Sequence, residues 1–301
     1  MTDASSKPLP PRKPDWLKRR LPTGDAFNRV RELIEAGKLH TVCQEAKCPN
    51  IWECYSRHTA TFLIMGERCT RNCRFCSVSP GSPEPLDPDE PGRVAQAVER
   101  MGLQYVVVTS VTRDDLPDGG AAHFAATIDA IRRRVPGAEI EVLIPDFQGN
   151  RAALATVLGA RPNVLNHNIE TVPRLYPAVR PQADYRRSLE LLRRSHEWDP
   201  SIPTKSGLML GLGESPKELR QTLRDLRDAG CRVLTLGQYL QPSPEHLPVE
   251  AYVPPAEFES WRREALEMGF AEVASAPFVR SSYRAKESFR ALGTEPSADR
   301  A

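Results

Sequence analysis

Seven cysteines stand at Cys43, Cys48, Cys54, Cys69, Cys73, Cys76 and Cys231, and the first six fall within 34 residues. An odd number of thiols in a chain with no apolar export segment argues against a disulfide framework. Six thiols crowded so tightly point to metal. They divide into Cys43-x4-Cys48-x5-Cys54 and Cys69-x3-Cys73-x2-Cys76, with 14 residues between the groups. Structural zinc favours four ligands, commonly as paired C-x2-C knuckles, and neither group has that form. His40 and His58 flank the first group and offer it a fourth nitrogen, so zinc stays open by arithmetic. Three thiolates suit an iron–sulfur cube better, and they leave one iron free for an outside ligand, as catalytic zinc keeps an open position. Phe75, just ahead of the last clustered cysteine, either lies against the flat face of a nucleobase or packs into the core. Cys231, alone in an apolar stretch, reads as a small buried residue.

These residues need a scaffold. Thr61–Gly66, Gln104–Ser110, Glu139–Ile144, Asn163–Asn168, Lys205–Leu210 and Arg232–Tyr239 read as short buried strands. Helical stripes lie between and after them: Tyr185, Leu189 and Leu192; Leu219, Leu223 and Leu226; Phe258, Trp261, Ala265 and Met268. Six β–α units in series predict an α/β fold, a parallel sheet curling into an open (β/α)6 barrel too short to close on itself. The motif residues then fall on the loops after the strands, where such sheets carry function. Gly211 and Gly213 suit either close approach of a ligand or a plain strand-to-helix turn. An N-terminal extension (25–60) carries a helix near Asp25–Ala36 and the first cysteine triad. The barrel and its C-terminal serines occupy 61–285, Pro80–Pro91 is a rigid link, and tails cover 1–24 and 286–301.

Of 301 residues, 40% are apolar and 27% charged, with net charge +2, as expected of a globular protein. The apolar runs are too short to span a bilayer. The first 24 residues hold six basic side chains against two acidic ones, leaving a slightly acidic body. That is a solvated arm, not the basic face of a nucleic-acid reader. The start has neither a secretory h-region nor an acid-poor amphipathic presequence, so the expectation is a cytoplasmic protein.

Cys69-Thr70-Arg71-Asn72-Cys73-Arg74-Phe75-Cys76 matches the C-x3-C-x-aromatic-C signature of radical S-adenosylmethionine (SAM) enzymes. The leading triad and the distant Arg280-Ser281-Ser282-Tyr283 make the chain similar, over about residues 40–285, to the lipoyl synthase family. Thr109–Leu116, Asn166–Thr171, Ser206–Glu214 and Gly237–Ser243 share the likeness. The resemblance implies a radical SAM barrel that inserts two sulfur atoms, at C6 and C8, into an octanoyl group on a lipoyl carrier domain. It implies two [4Fe-4S] clusters and SAM. One cluster is held by Cys69, Cys73 and Cys76. The other is consumed as the sulfur source and is held by Cys43, Cys48, Cys54 and a serine, which maps to Ser282 with Ser281 as fallback. Oxygen is a harder ligand than sulfur, so this corner is weak by design. Asn168 and Glu170 are placed to meet the SAM ribose or amino group. Arg180 meets the SAM carboxylate, a substrate carbonyl, or a surface ion-pair partner. Asp114 and Asp115 read as solvated loop carboxylates.

Implied partners are 2-oxoacid dehydrogenase E2 subunits, the glycine cleavage H protein, and a reductant such as ferredoxin or flavodoxin, with no nucleic acid or membrane. The alternatives are another sulfur-inserting radical SAM enzyme (biotin synthase or methylthiotransferase-like), a zinc-binding interaction module, or a passive electron carrier.

Overall fold

The computed structural model describes residues 12–18, 25–56 and 60–293. The 1–24 arm therefore lies outside the described residues except for a short turn at Asp15–Leu17, and His58 lies outside them entirely. In chain order the helices are α1 (Asp25–Ala36), α2 (Val42–Glu45), α3 (Ile51–Ser56), α4 (Glu90–Arg100), α5 (Ala121–Arg134), α6 (Arg151–Gly159), α7 (Tyr176–Val179), α8 (Tyr185–Trp198), α9 (Pro216–Asp228), α10 (Pro255–Glu267) and α11 (Ala285–Leu292). The strands are β1 (His40–Thr41), β2 (Thr61–Ile64), β3 (Arg68–Cys69), β4 (Ser79–Pro80), β5 (Tyr105–Ser110), β6 (Glu139–Leu143), β7 (Val164–Asn166), β8 (Thr204–Leu210), β9 (Val233–Gln238) and β10 (Glu272–Ser275).

Eight strands form one sheet in the order β1-β2-β5-β6-β7-β8-β9-β10. From β2 to β10 every neighbouring pair is parallel, and β1 adds an antiparallel edge to β2. Each of the six expected runs contains a strand, and α4, α5, α6, α8, α9 and α10 supply the crossovers that parallel pairing demands. The partial (β/α)6 barrel is what the chain forms, extended by β10 and by β1. The first run stops at Ile64 because Met65 and Gly66 both take positive φ (69° and 93°), which turns the chain off the sheet. The link expected over Pro80–Pro91 also ends early. Glu90 opens α4, and its buried carboxylate accepts from Met65 N (2.8 Å) and contacts His123 Nε2 (2.7 Å).

Side chains alternate across the sheet, as strand geometry requires. Phe62, Ile64, Val106, Val108, Ile140, Val142 and Leu165 face outward into a core completed by α4, α5 and α6. Leu208, Leu210, Leu234 and Leu236 meet Leu192, Leu219, Leu223, Leu226, Phe258, Trp261 and Ala265, so the helical stripes are core. The inner face differs. Tyr105 and Val107 pack on Ala285 and Phe289 of α11, with the Tyr105 and Phe289 rings 5.7 Å apart. Deeper inside, Lys205 Nζ donates to both oxygens of Glu141 (2.9 and 3.2 Å), which also accept from Tyr105 OH (2.7 Å) and Asn166 Nδ2 (3.1 Å). The lumen is polar where the outer layer is aliphatic.

Candidate active site

The Cys69–Cys76 loop leaves the end of β2 and is clasped at its two ends by the β3–β4 pairing, with Gly81 N donating to Cys69 O (2.9 Å). Cys69 Sγ accepts backbone N–H bonds from Arg71 (3.4 Å) and from Thr112 in the loop after β5 (3.2 Å). Further along, Arg74 N donates to Val179 O, Leu247 N to Arg74 O, and the His246 ring (Nε2) to Cys76 O (2.8 Å). Three other segments, the loop after β5, the end of α7 and the stretch carrying His246 and Leu247, therefore fix the shape of the second triad.

Arg71 anchors it from below. Its guanidinium donates to both oxygens of Asp114 (2.6 and 3.0 Å) and to Asp146 Oδ1 (2.5 Å). Asp114 is thus no solvated loop carboxylate: it holds the Cys69–Cys76 loop through Arg71. Asp115, 38% exposed, pairs with its neighbour Arg113. Burial alone would raise the Asp146 carboxyl, but the Arg71 hydrogen bond and charge outweigh it and hold it at about 2.

Asn168, Glu170 and Arg180 converge beside this loop. Asn168 Nδ2 donates to Glu170 Oε1 (3.0 Å) and to Ser281 Oγ (2.6 Å). Glu170 takes a positive φ of 65°, and its backbone bridges to β8 through Glu170 N to Gly207 O and Met209 N to Glu170 O (2.9 Å each). Burial pushes its carboxyl up, against the pull of Arg180. Arg180 is not in a surface ion pair. It is 8% exposed, donates from Nη1 to Asn168 O (2.8 Å) and lies over the Tyr176 ring. Its Nε is buried with no partner among the described residues, so it has a hydrogen bond left to give to an anionic ligand. Phe75 packs, half-buried, against Val179, Leu212, Tyr239 and Val249. Gly211 serves a turn: a Cβ there would meet Ala251 O at 2.3 Å, and its N–H is capped by Glu214 Oε1 (2.6 Å).

The first triad lies on α2 and α3, stitched to the far end of the chain. Asn50 Nδ2 donates to Phe278 O (2.7 Å), Tyr283 OH to Glu53 Oε1 (3.0 Å), and Thr61 Oγ1 to Ser282 Oγ (2.8 Å). Thr61 N–H is also a hydrogen-bond donor to the Cys43 sulfur. Ser282 and Cys43 therefore share one bridging residue, while Ser281 turns to Asn168. His40 points Nδ1 at Glu45 Oε1 (3.2 Å), and with Glu67 these form a trio within 4.8 Å. Cys231 is fully buried two residues ahead of β9, a small buried residue as expected.

The donor sets fit iron–sulfur clusters. In neither triad do all three Sγ atoms lie within 4.8 Å of one another. Around one tetrahedral zinc with 2.3 Å bonds, ligand sulfurs sit about 3.8 Å apart. A cube puts its ligands on separate irons and spreads them wider. Burial raises Cys73 to about 11 and Cys76 to about 12, and pushes Cys43 further still, so a bound cation is what makes thiolates here.

Two parts of the site escape the motif reading. The Arg71–Asp114–Asp146 clamp depends on residues 43 and 75 positions apart. Glu141 carried one signal, since a charge between Ile140 and Val142 inside a strand run points to the inner face; Lys205, between Thr204 and Ser206, carried none.

The profile of the radical SAM superfamily matches residues 63–226, and that of the N-terminal domain of lipoyl synthase of the radical SAM family matches residues 4–48. Lipoyl synthase from Rubrobacter xylanophilus is 58% identical over 275 residues, covering 91% of this chain and 86% of its own. Lipoyl synthase from Nitratidesulfovibrio vulgaris is 56% identical over 292 residues, covering 97% of each. This chain belongs to the lipoyl synthase family. Among solved structures, methylornithine synthase (TM-score 0.51, 14% identity, 77% of this chain and 80% of that one) and a maturase of the [FeFe]-hydrogenase (0.56, 17%, 76% and 54%) share the fold. A lipoyl synthase is a radical SAM enzyme that inserts sulfur, so a [4Fe-4S] cluster and SAM are its cofactors and lipoyl carrier proteins its substrates. Among the described residues no helix is long and apolar enough to cross a membrane.

Proposed function

We propose that this chain inserts two sulfur atoms, at C6 and C8, into an octanoyl group held as a lysine amide on a lipoyl carrier domain. Cys69, Cys73 and Cys76 hold one [4Fe-4S] cluster, and Cys43, Cys48, Cys54 and Ser282 hold a second. When bound, these cofactors supply what side chains lack, a carbon radical strong enough to break an alkane C–H bond and a source of sulfur.

The chain supplies binding, orientation and dryness. Arg180, with Nε unspent, pairs with the SAM carboxylate. Asn168 and Glu170 face the ribose or the amino group, beside the half-buried ring of Phe75. Arg71, locked by two carboxylates, keeps the cluster loop from drifting, and α11 covers part of the inner face of the sheet so that less water reaches the lumen. Residues 25–60 act as the unit carrying the second cluster, and 61–285 as the barrel. The carrier domains are those of 2-oxoacid dehydrogenase E2 subunits and the glycine cleavage H protein, with ferredoxin or flavodoxin as reductant. Thiols kept reduced for metal suit the cytoplasm, and that is the compartment of this reading.

One observation carries the reading: Thr61 joins Ser282 Oγ to Cys43 in the first triad. A passive electron carrier has no use for an oxygen donor at that position. The test incubates anaerobically purified protein with SAM, dithionite and an octanoylated carrier domain. Wild type yields 5′-deoxyadenosine and a mass gain of two sulfurs on the carrier. Alanine at Cys43, Cys48 or Cys54 abolishes the mass gain and leaves SAM cleavage. Loss of cleavage in all three, with the other cluster intact, overturns the division of labour.

A further inference from the structure

The outer face of α8 carries Arg186, Arg187, Arg193 and Arg194 against Glu190 and, further along the helix, the exposed Glu197; the four arginines and Glu190, together with Leu189 and Gly149, line an open groove of about 570 Å³. Arg193 and Arg194 share Glu190, and Arg187 meets Asp146, so the groove keeps a positive excess that is greatest at Arg186. Arg186 is exposed and makes no ion pair among the described residues. Such a face attracts a negatively charged partner. Its position is informative. Arg187 Nη1 lies 3.2 Å from Asp146 Oδ2, Asp146 Oδ1 accepts from Arg71 at 2.5 Å, and Arg71 N–H donates to Cys69 Sγ at 3.4 Å. A continuous hydrogen-bonded path thus runs from the groove to the first ligand of the radical-generating triad.

The wall between them is solid. The side chains of Asp146 and Arg71 are 0% and 3% exposed. An acyl chain cannot thread that wall, whereas an electron needs no opening. The groove also lies outside the sheet, while the octanoyl group must reach the lumen.

We propose that this arginine groove is the docking surface for an acidic one-electron carrier protein. The inference rests on the proposed assignment of Cys69, Cys73 and Cys76 to a redox cluster. On docking, the reduced carrier loses one electron and the cluster gains it; no bond or proton moves on this chain. The opposed charges speed encounter and fix orientation, so the effect falls with salt.

The test compares two reductants on the holoenzyme, flavodoxin in its reduced form and dithionite, with 5′-deoxyadenosine as the readout. The variants are Arg186→Glu/Arg193→Glu and the milder Arg186→Gln/Arg193→Gln, at exposed positions outside the site. With flavodoxin, wild type should show a KM that climbs with ionic strength. The double Glu variant should raise that KM about tenfold at low salt and flatten its salt dependence, with the Gln variant between. Dithionite-driven turnover and the KM for carrier domain should stay at wild-type values. An unchanged flavodoxin KM, or a salt-independent one in wild type, overturns the proposal. So does an equal loss with both reductants. A raised KM for the octanoylated domain under dithionite assigns the groove to the substrate carrier instead. In each of these cases dithionite-driven cleavage by wild type still reports on the cluster assignment separately.

Discussion

Asn168 donates a hydrogen bond from Nδ2 to Ser281 Oγ across 2.6 Å, though the two are 113 residues apart. Ser281 is thereby turned toward Asn168 and Glu170, and its neighbour Ser282 faces Thr61 and the first triad. The pair of serines divides its contacts between the two halves of the site. Ser282→Ala should lower the iron content of the second cluster and abolish sulfur insertion, with SAM cleavage retained. Ser282→Cys replaces a weak oxygen corner with thiolate. Its cluster should resist chelators better than wild type yet release sulfur more slowly. Ser281→Ala should keep the iron and raise the KM for SAM. Mössbauer spectra and single-turnover assays distinguish the three.

The clamp on the cluster loop is a buried ion-pair set, and breaking one side leaves charge without compensation. Arg71→Met should cost about 3 kcal/mol or more, because Asp146 stays buried and ionised. Arg71→Met/Asp146→Leu should recover part of that loss. Urea titration of the two variants checks the stability, and EPR of the reduced radical cluster checks whether the loop has shifted.

His167 makes stability depend on pH in a defined window. The ring is fully enclosed, with Nδ1 donating to Ile144 O (2.8 Å) and Nε2 meeting Ser188 Oγ (3.0 Å). Burial, aided by the Arg180 charge, lowers it from 6.5 to about 4. The unfolded chain takes the proton first, so stability present above pH 6.5 drains away as pH falls to about 4. The loss is on the order of 3 kcal/mol. In His167→Gln the urea midpoint should change less across that window. Below it, protonation of Asp146 adds a further loss as pH drops from 3.8 toward about 2.

Gly237 is set against backbone, with a Cβ falling 2.1 Å from Val279 O. Gly237→Ala must push the segment bearing Ser281 and Ser282 away from β9. On the two-cluster reading proposed above, iron should fall from about eight to about four per chain, with SAM cleavage preserved. Retention of all the iron would show that the segment has slack.

Much of this was legible in the sequence, for identifiable reasons. The β2, β5, β6 and β9 runs announce themselves because strands buried on both faces are rich in branched aliphatics, whereas β8 shows only its apolar end at Leu208–Leu210. α1 spans Asp25–Ala36 as its periodicity predicts. β10 escaped notice, since Glu272–Ser275 is short and only Val273 is deeply buried. Arg180 and Asp114 each had a solvated alternative, and local sequence offers nothing against it. Their burial comes from the barrel bringing the ends of β5, β6 and β7 together. Whether Ser281 or Ser282 faces the triad depends on the turn after β10, which no motif specifies.

The stitching of Asn50, Glu53 and Thr61 to Phe278, Tyr283 and Ser282 spans 221 to 230 residues. A ribosome adding 5–20 residues per second needs roughly 10 to 45 s to make that length. For all of that time the nascent thiols at 43, 48 and 54 wait without their oxygen neighbour. An early-made part of the chain is finished by one made much later, so on the reading proposed above the metal site at these thiols is completed only once Phe278–Tyr283 has been made.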